Sequence, residues 1–361
     1  MNSITAPGAG LPVLVTGASG YIAGWIVKYL LEEGHTVHAT VRDPAKQSSV
    51  AHLLAMAENS PGTLHLFKAD LLDAGSFDAA MTGCGVVMHT ASPFIMEGYK
   101  DANEALIRPA VEGTRNVLAA VNRTGSVQRV VLTSSIASVV GDNIDLRQIP
   151  GGVLTEEHWN ATSSADHNPY QFSKVRAERE AWKINRQQAR WDLVTINPSM
   201  VYGPALTPGS QSASIDTMVQ MGDGRLLMGV PKLVYGVVDV REVARAHLLA
   251  AFTPDASGRY ILSARELTMM QIGRILRRHF GWRYPFPLVQ APKFAVWAVG
   301  PLLGPVTREF VSRNVNHPLR IDNSRSQREL GIHYRPVAET FTEHFQQVID
   351  DGLLRKRRRA G

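Results

Sequence analysis

Tyr170 and Lys174 stand four residues apart in `NPYQFSKVRAERE`. On a helix that spacing places two side chains on one face, one turn apart. A phenol beside an ammonium suits proton transfer to a carbonyl oxygen. A free phenol holds its proton to a pKa of about 10, and a nearby cation favours the phenolate. Lowering that pKa by roughly 2–3 units corresponds to about 3–4 kcal/mol of differential stabilisation. Thirty-five residues upstream, `VVLTSSIAS` ends an apolar run at Thr133, Ser134 and Ser135. A hydroxyl there can hydrogen-bond a substrate oxygen as charge develops on it. Ser135, Tyr170 and Lys174 are thus the candidate catalytic trio, with Ser134 as the competing hydroxyl.

Such a site needs a hydride source, and the N-terminal segment offers a place for one. In `VLVTGASGYIAGW`, Gly17, Gly20 and Ala23 recur at three-residue intervals between an apolar run and a helical pattern. Gly17 permits a tight turn, Gly20 a close backbone approach to a pyrophosphate, and Ala23 close helix–strand packing. The helix N-terminus then presents unpaired N–H groups to the phosphates. Ser19, Tyr21 and Ile22 fall in the same turn. The next strand-like run ends in `TVRDP`, with Arg42 25 residues after Gly17 and Lys46 close behind. An acid at this point would hold a ribose 2′-hydroxyl, whereas Arg42 suits a 2′-phosphate. The expected cofactor is therefore NADPH/NADP+ rather than NADH. Asp70, in `KADL`, is read either as an acceptor for the adenine amino group or as a cap on a solvated strand end. His89, opening `HTASP`, is read as packed, and the 12 histidines hold no His-Glu-x-x-His pair, so no metal is expected.

The elements that must position these residues follow from patterning. Apolar runs `PVLVTG`, `HTVHATVR`, `TLHLFKAD`, `GVVMHTAS`, `VQRVVLTSS` and `WDLVTINPS` alternate with helical stretches such as 103–122 and 170–188. Alternation of this kind predicts an α/β fold, a Rossmann-type doubly wound parallel sheet with ligands at the carboxyl ends of its strands. After Ser199 the pattern loosens into a smaller interwoven C-terminal lobe. The expected division is 11–200 plus 236–256 for the NADP-binding domain and 201–235 plus 257–350 for the substrate-binding lobe. Residues 1–10 and 355–361 are expected as flexible tails.

Composition bounds the rest. The 361 residues are 44% hydrophobic and include a single cysteine, Cys84, read as a packed residue in a reducing, cytoplasmic setting. The start `MNSITAPGAG` lacks the basic and apolar regions of a signal peptide. Residues 1–200 carry a net −3 and 201–361 a net +9, with `RKRRR` supplying five cations. That tail is read as solvated, and no zinc-finger spacing or aromatic–basic interleaving argues for nucleic acid. The apolar stretch Phe286–Val306 is broken by Lys293, four prolines and two glycines, so stable membrane insertion is not expected. A buried or substrate-facing segment is.

With these residues in hand, the chain resembles the extended short-chain dehydrogenases/reductases, in the branch similar to dihydroflavonol reductase. The resemblance spans about residues 11–350. It rests on `VTGASGYIAGW`, `ATVRDP`, `ADL`, `HTASP`, `VEGTRNVL`, `RVVLTSSIASV`, `YQFSKVRAEREAW`, `INPSMVYGP` and `VVDVREVARAH`. It implies that Gly17, Gly20, Tyr21 and Ile22 hold the pyrophosphate, Arg42 the 2′-phosphate, and Asp70 and Leu71 the adenine. Thr90, Ala91 and Ser92 would line the groove. Thr133, Ser134, Pro198 and Val201 would lie by the nicotinamide, and Ser135 matches the family's catalytic serine. Phe94, Ile95, Met96, Met200 and Tyr202 are candidates for an apolar pocket wall, or for plain packing.

Departures narrow the substrate. Val140 stands where plant flavonoid reductases carry a polar residue, and `HNPYQFSK` lacks the aromatic–cysteine motif of cinnamoyl-CoA reductases. The pattern implies a microbial-type reductase of an apolar or aromatic aldehyde or ketone, working as a monomer or homodimer. Sugar dehydratases carry Asp-Glu after the strand threonine, where Ser134-Ser135 stand; epimerases carry Tyr-Gly where Val140-Gly141 stand. A sterol dehydrogenase would be expected to use NAD. A non-catalytic NADP-binding sensor would typically lack the tyrosine or the lysine.

Overall fold

Runs such as `VLV` and `VVM` are apolar at every position, as expected of strands covered on both faces. In the computed structural model, which describes residues 6–92, 101–207, 212–303 and 306–354, they form the centre of a seven-stranded sheet. Its strands are β1 (Val13–Thr16), β2 (Thr36–Val41), β3 (Thr63–Lys68), β4 (Val86–His89), β5 (Arg129–Thr133) and β6 (Asp192–Pro198), joined later by a seventh. Beyond them come β7 (Met200–Tyr202), β8 (Val230–Pro231), β9 (Val234–Asp239), β10 (Gly258–Leu262), β11 (Arg265–Thr268) and β12 (Gln290–Ala291).

Spatial order is β10-β6-β5-β4-β1-β2-β3, with every pairing parallel. The order reverses between β1 and β4, which is where a doubly wound sheet opens a crevice for ligand. Alternation splits the core: Val13 and Val15 face one apolar layer while Leu14 faces the other.

Connecting helices in the first part are α1 (Tyr21–Glu32), α2 (Gln47–Glu58), α3 (Asp78–Met81), α4 (Arg108–Arg123) and α5 (Pro169–Asn185). Later come α6 (Ala213–Asp223), α7 (Val240–Phe252), α8 (Met269–Phe280), α9 (Lys293–Leu303), α10 (Arg308–Asn314), α11 (Ser324–Leu330) and α12 (Val337–Asp350). Residues of α1 and α7 share one face of the sheet; those of α4 and α5 share the other.

The smaller lobe is built on a second sheet, β11-β9-β7, with its own core of Met218, Leu276, Phe286, Phe341 and Phe345. The chain weaves between the two. The Val234–Asp239 strand belongs to the smaller sheet, and Gly258–Leu262 returns to pair with β6 as the seventh strand. We therefore propose the lobe boundaries by sheet membership, which moves β9 and β10 across the division drawn from sequence.

The Phe286–Val306 stretch behaves differently from its composition. Phe286 is buried, but in α9 Phe294 is 77% and Leu302 83% exposed. Hydrophobicity predicts burial only where another element is available to cover the face. Among the described residues no helix is long and apolar enough to cross a membrane.

Candidate active site

The dinucleotide turn is shaped by sterics first. Gly17 has φ +64°, and a Cβ there would sit 3.0 Å from the Ala91 Cβ. Gly20 has ordinary backbone angles and caps α1 with no side-chain hydrogen bond, and the first turn of α1 holds no acid. The leading N–H groups of this helix are thus left for an anion. Ser19 and Gly20 are exposed at its mouth. Tyr21 turns away and donates its hydroxyl to the Gly203 carbonyl at 2.5 Å, while Trp25 donates to the Pro204 carbonyl at 2.9 Å. These bonds pin α1 to the smaller lobe. Ile22 packs partly buried against the core.

A residue the sequence reading passed over locks this turn to the next strand. Thr16 Oγ1 accepts from the Thr90 and Ala91 N–H groups at 3.1 and 3.0 Å and pairs with His89 Nδ1 at 3.0 Å. Burial pushes His89 down to about 3, with the nearby Lys174 charge acting the same way, so it is a neutral packed partner. The Thr90 hydroxyl bonds the Thr16 carbonyl, so both its side chain and its N–H are spent on holding the turn. The signal was the hydroxyl in `VTG`, one residue before the glycine.

Arg42 and Lys46 are exposed beyond β2, without an ion pair among the described residues. Asp43 does not bind Arg42; its Oδ1 accepts from the Ala45 N–H at 3.0 Å. Asp70 caps its own turn, with Oδ1 accepting from Leu72 N–H at 2.9 Å. That is the strand-end role, and it occupies one carboxylate oxygen. The free helix end, the glycine cradle and the unpaired Arg42 together fit a phosphorylated dinucleotide.

At the sheet's carboxyl edge a narrow cavity has Leu71, Ala91, Ser92, Thr133, Ser134, Lys174 and Glu178 among its lining residues. These come from four widely separated segments of the chain. Lys174 donates to Ser92 Oγ at 2.9 Å, and its Nζ lies 5.6 Å from the Tyr170 ring centroid. The Ser135 side chain lies close enough to Tyr170 to act on the phenol. The trio therefore meets. Its electrostatics differ from the sequence expectation. Burial pushes Tyr170 up to about 12, against the downward pull of the Ser135 side chain, and pushes Lys174 down to about 8. Desolvation is the largest influence on both groups in the chain itself.

The paired serines separate cleanly. Ser134 Oγ donates to the buried Glu178 carboxylate and lies 3.2 Å from Ser138 Oγ, and its N–H bonds the Ile196 carbonyl. Ser135 Oγ faces Tyr170 and accepts from Ala137 N–H at 3.2 Å. Thr133 Oγ1 bonds His247 Nε2 at 2.7 Å, and His247 gives its other ring N–H to the Val243 carbonyl. Pro198 is buried in β6, and Val201 packs on the main core. Met200 is partly buried against the smaller core, and Tyr202 is 1% exposed inside it, 4.9 Å from the Phe341 ring. Plain packing accounts for both. Phe94, Ile95 and Met96 lie outside the described residues. Cys84 is buried and pushed up to about 12 by that burial, an inert packed thiol.

The family model for the NAD dependent epimerase/dehydratase family matches residues 13–262. A cinnamoyl-CoA reductase of Medicago truncatula is 41% identical over 284 residues, 78% of this chain and 82% of that one. Tetraketide alpha-pyrone reductase 1 of Arabidopsis thaliana is 35% identical over 349 residues, 95% and 96% of the two chains. The yeast methylglyoxal/isovaleraldehyde reductase Gre2, solved with NADPH, superposes with a TM-score of 0.75 at 27% identity, covering 94% of this chain and 98% of that one. With the glycine turn, the Tyr170–Lys174 pair and the reversed strand order in place, these likenesses establish the chain as a member of the NAD dependent epimerase/dehydratase family, an NAD(P)-dependent oxidoreductase of the extended short-chain dehydrogenase/reductase type.

Proposed function

We propose that this chain is an NADPH-dependent reductase of an apolar or aromatic aldehyde or ketone, with Tyr170 as the proton donor. The observation that carries this reading is the convergence of Tyr170 and Lys174, whose ammonium lies 5.6 Å from the phenol ring one helical turn away, with the Ser135 side chain beside them. NADPH, when bound, supplies the hydride, and its oxidised nicotinamide carries a positive charge.

The chain's residues divide the remaining work. Ser135 offers its hydroxyl to the carbonyl oxygen and steadies the charge that grows there. Tyr170, which burial keeps protonated, passes its proton to that oxygen. Lys174 holds a cation close to the phenol as it becomes a phenolate. Arg42, unpaired at the end of β2, favours the 2′-phosphate. The names of the relatives support carbonyl reduction: two plant reductases and a yeast aldehyde reductase solved with NADPH.

A panel of aldehydes and ketones with NADPH consumption as readout tests the proposal. Turnover should be abolished, to below about 1% of the native rate, by Tyr170→Phe. Full activity in that variant would remove Tyr170 as the donor, and no turnover across the panel would favour a sensor. A cytoplasmic location and a monomeric or homodimeric state belong to the same proposal.

A further inference from the structure

Glu178 lies one turn beyond Lys174 and two beyond Tyr170 on α5, and its side chain is fully buried. A buried carboxylate is costly unless it is paired and hydrogen-bonded. Glu178 is both, to an unusual degree. Oε2 accepts from Ser134 Oγ, from Ser138 Oγ at 2.5 Å and from Asn197 Nδ2 at 2.9 Å. Oε1 accepts from Arg259 Nε at 2.7 Å and from Thr195 Oγ1 and Trp182 Nε1 at 3.3 Å each.

Two of those donors also reach the catalytic loop. Ser138 Oγ bonds the Ser135 carbonyl at 2.8 Å, and Asn197 Nδ2 reaches the same oxygen at 3.3 Å. Arg259 closes the far side. Its guanidinium bonds the Glu156 and His158 carbonyls at 2.7 and 2.6 Å and sits 3.9 Å from the Trp159 ring. One carboxylate thus joins α5, the end of β5, β6 and β10.

Resting on the reductase reading above, we propose that Glu178 is the positioning residue of this site. It fixes the distance between the helix that carries Tyr170 and Lys174 and the loop that carries Ser135. Glu178 borders the cavity, but both of its carboxylate oxygens are taken up by protein donors, so in this role it acts through Ser135. A catalytic hydroxyl must be held to within a fraction of an ångström, and rigid support of that kind comes from surrounding hydrogen bonds.

The test is a double-mutant cycle with Ser135. Glu178→Gln keeps the shape of the side chain but offers an amide N–H to a set of donors. In the native background it should lower kcat about 30-fold, with NADPH affinity by fluorescence titration unchanged within about twofold. In the Ser135→Ala background the same change should cost less than about threefold, because the residue it positions is gone. Equal losses in both backgrounds, or a parallel loss of NADPH affinity, would mark Glu178 as merely structural and overturn the proposal. Native kcat in Glu178→Gln would also overturn it. Should Glu178→Gln fail to fold, Ser138→Ala removes the hydroxyl between the carboxylate and the Ser135 carbonyl, and the same non-additivity is expected. Tyr170→Phe separates the two levels. An active Tyr170→Phe defeats the reductase reading, whereas an inactive one beside a fully active Glu178→Gln defeats only this inference.

Discussion

Ser134 and Ser135 are neighbours in sequence, yet they meet different turns of α5: Ser134 donates to buried Glu178, and the Ser135 side chain acts on Tyr170, two turns away along the helix. The Ser134 hydroxyl is spent on a buried carboxylate, whereas the Ser135 hydroxyl is left beside the phenol, so the pair divides into a structural and a catalytic hydroxyl. Ser135→Ala should lower kcat by about 10²–10³-fold while leaving the unfolding midpoint nearly unchanged. Ser134→Ala leaves a buried carboxylate short of a donor and should cost about 1–3 kcal/mol of stability, with kcat falling less than about tenfold. Paired measurements of kcat and urea unfolding check the split. Loss of activity in the opposite order would exchange the two assignments.

Lys174 sets the alkaline limb of the reaction. Burial holds it down at about 8, so the cation is present below that pH and lost above it. Tyr170, held up at about 12, contributes no limb in the working range. The kcat/KM for reduction should therefore fall as pH rises through about 8, with a slope of one proton. Lys174→Met should lower the plateau and flatten the profile. Stability runs the other way. Lys174 ordinarily titrates at 10.5 and in the fold at about 8, so folding releases a proton between these values. Its contribution is fully present above 10.5 and is lost as pH falls through 8. Opposite pH trends in rate and in unfolding free energy distinguish this lysine from a general alkaline inactivation.

How far the sequence carried can be seen at particular residues. The glycine turn, the parallel sheet and the Tyr170–Lys174 pair were legible because each depends on neighbours within one or two elements. Tyr170 and Lys174 are near by helix geometry alone. Glu178 was invisible as a hub because its counter-ion, Arg259, is 81 residues away. Thr16 looked like any strand residue until β4 came alongside it. The upward push on Tyr170 in the chain alone was hidden for the same reason: a phenol's desolvation is a property of the packed surroundings, not of its spacing from a lysine. In α9 the apolar composition was read as a buried or substrate-facing segment, and Phe294 and Leu302 are exposed rather than buried.

Arg42 gives a direct handle on cofactor choice. It is exposed, stands at the end of β2, and Asp43 beside it is spent on its own turn. Arg42→Ala should raise KM for NADPH by about 10–100-fold, the loss of a charge-assisted phosphate contact, and leave KM for NADH within about threefold. Initial rates with the two cofactors at fixed substrate measure it. Equal changes for both would mean that Arg42 does not meet the 2′-phosphate.

Asn168 controls where the catalytic helix begins. It precedes α5 in the left-handed region, φ 57° and ψ 54°, two residues before Tyr170. That conformation costs an ordinary L-residue roughly 1–2 kcal/mol, and asparagine or glycine less. The side chain adds a second hold. Asn168 Nδ2 donates to Asp142 Oδ1 at 3.0 Å and to the Gly141 carbonyl at 3.3 Å. Asp142 is itself fixed: burial would raise its pKa, but hydrogen bonds from His167, Arg313 and Asn314 bring it below the usual carboxylate range. Two substitutions separate the two holds. Asn168→Gly keeps the backbone angles and loses only the hydrogen bonds, so it should destabilise by about 1 kcal/mol. Asn168→Val loses both and adds β-branched strain, so it should cost about 2–3 kcal/mol and lower kcat as well, since the helix start that carries Tyr170 must shift. Thermal unfolding with kcat measured at low temperature checks both. If the two variants were equally stable, backbone conformation at Asn168 would have no part in setting the position of Tyr170.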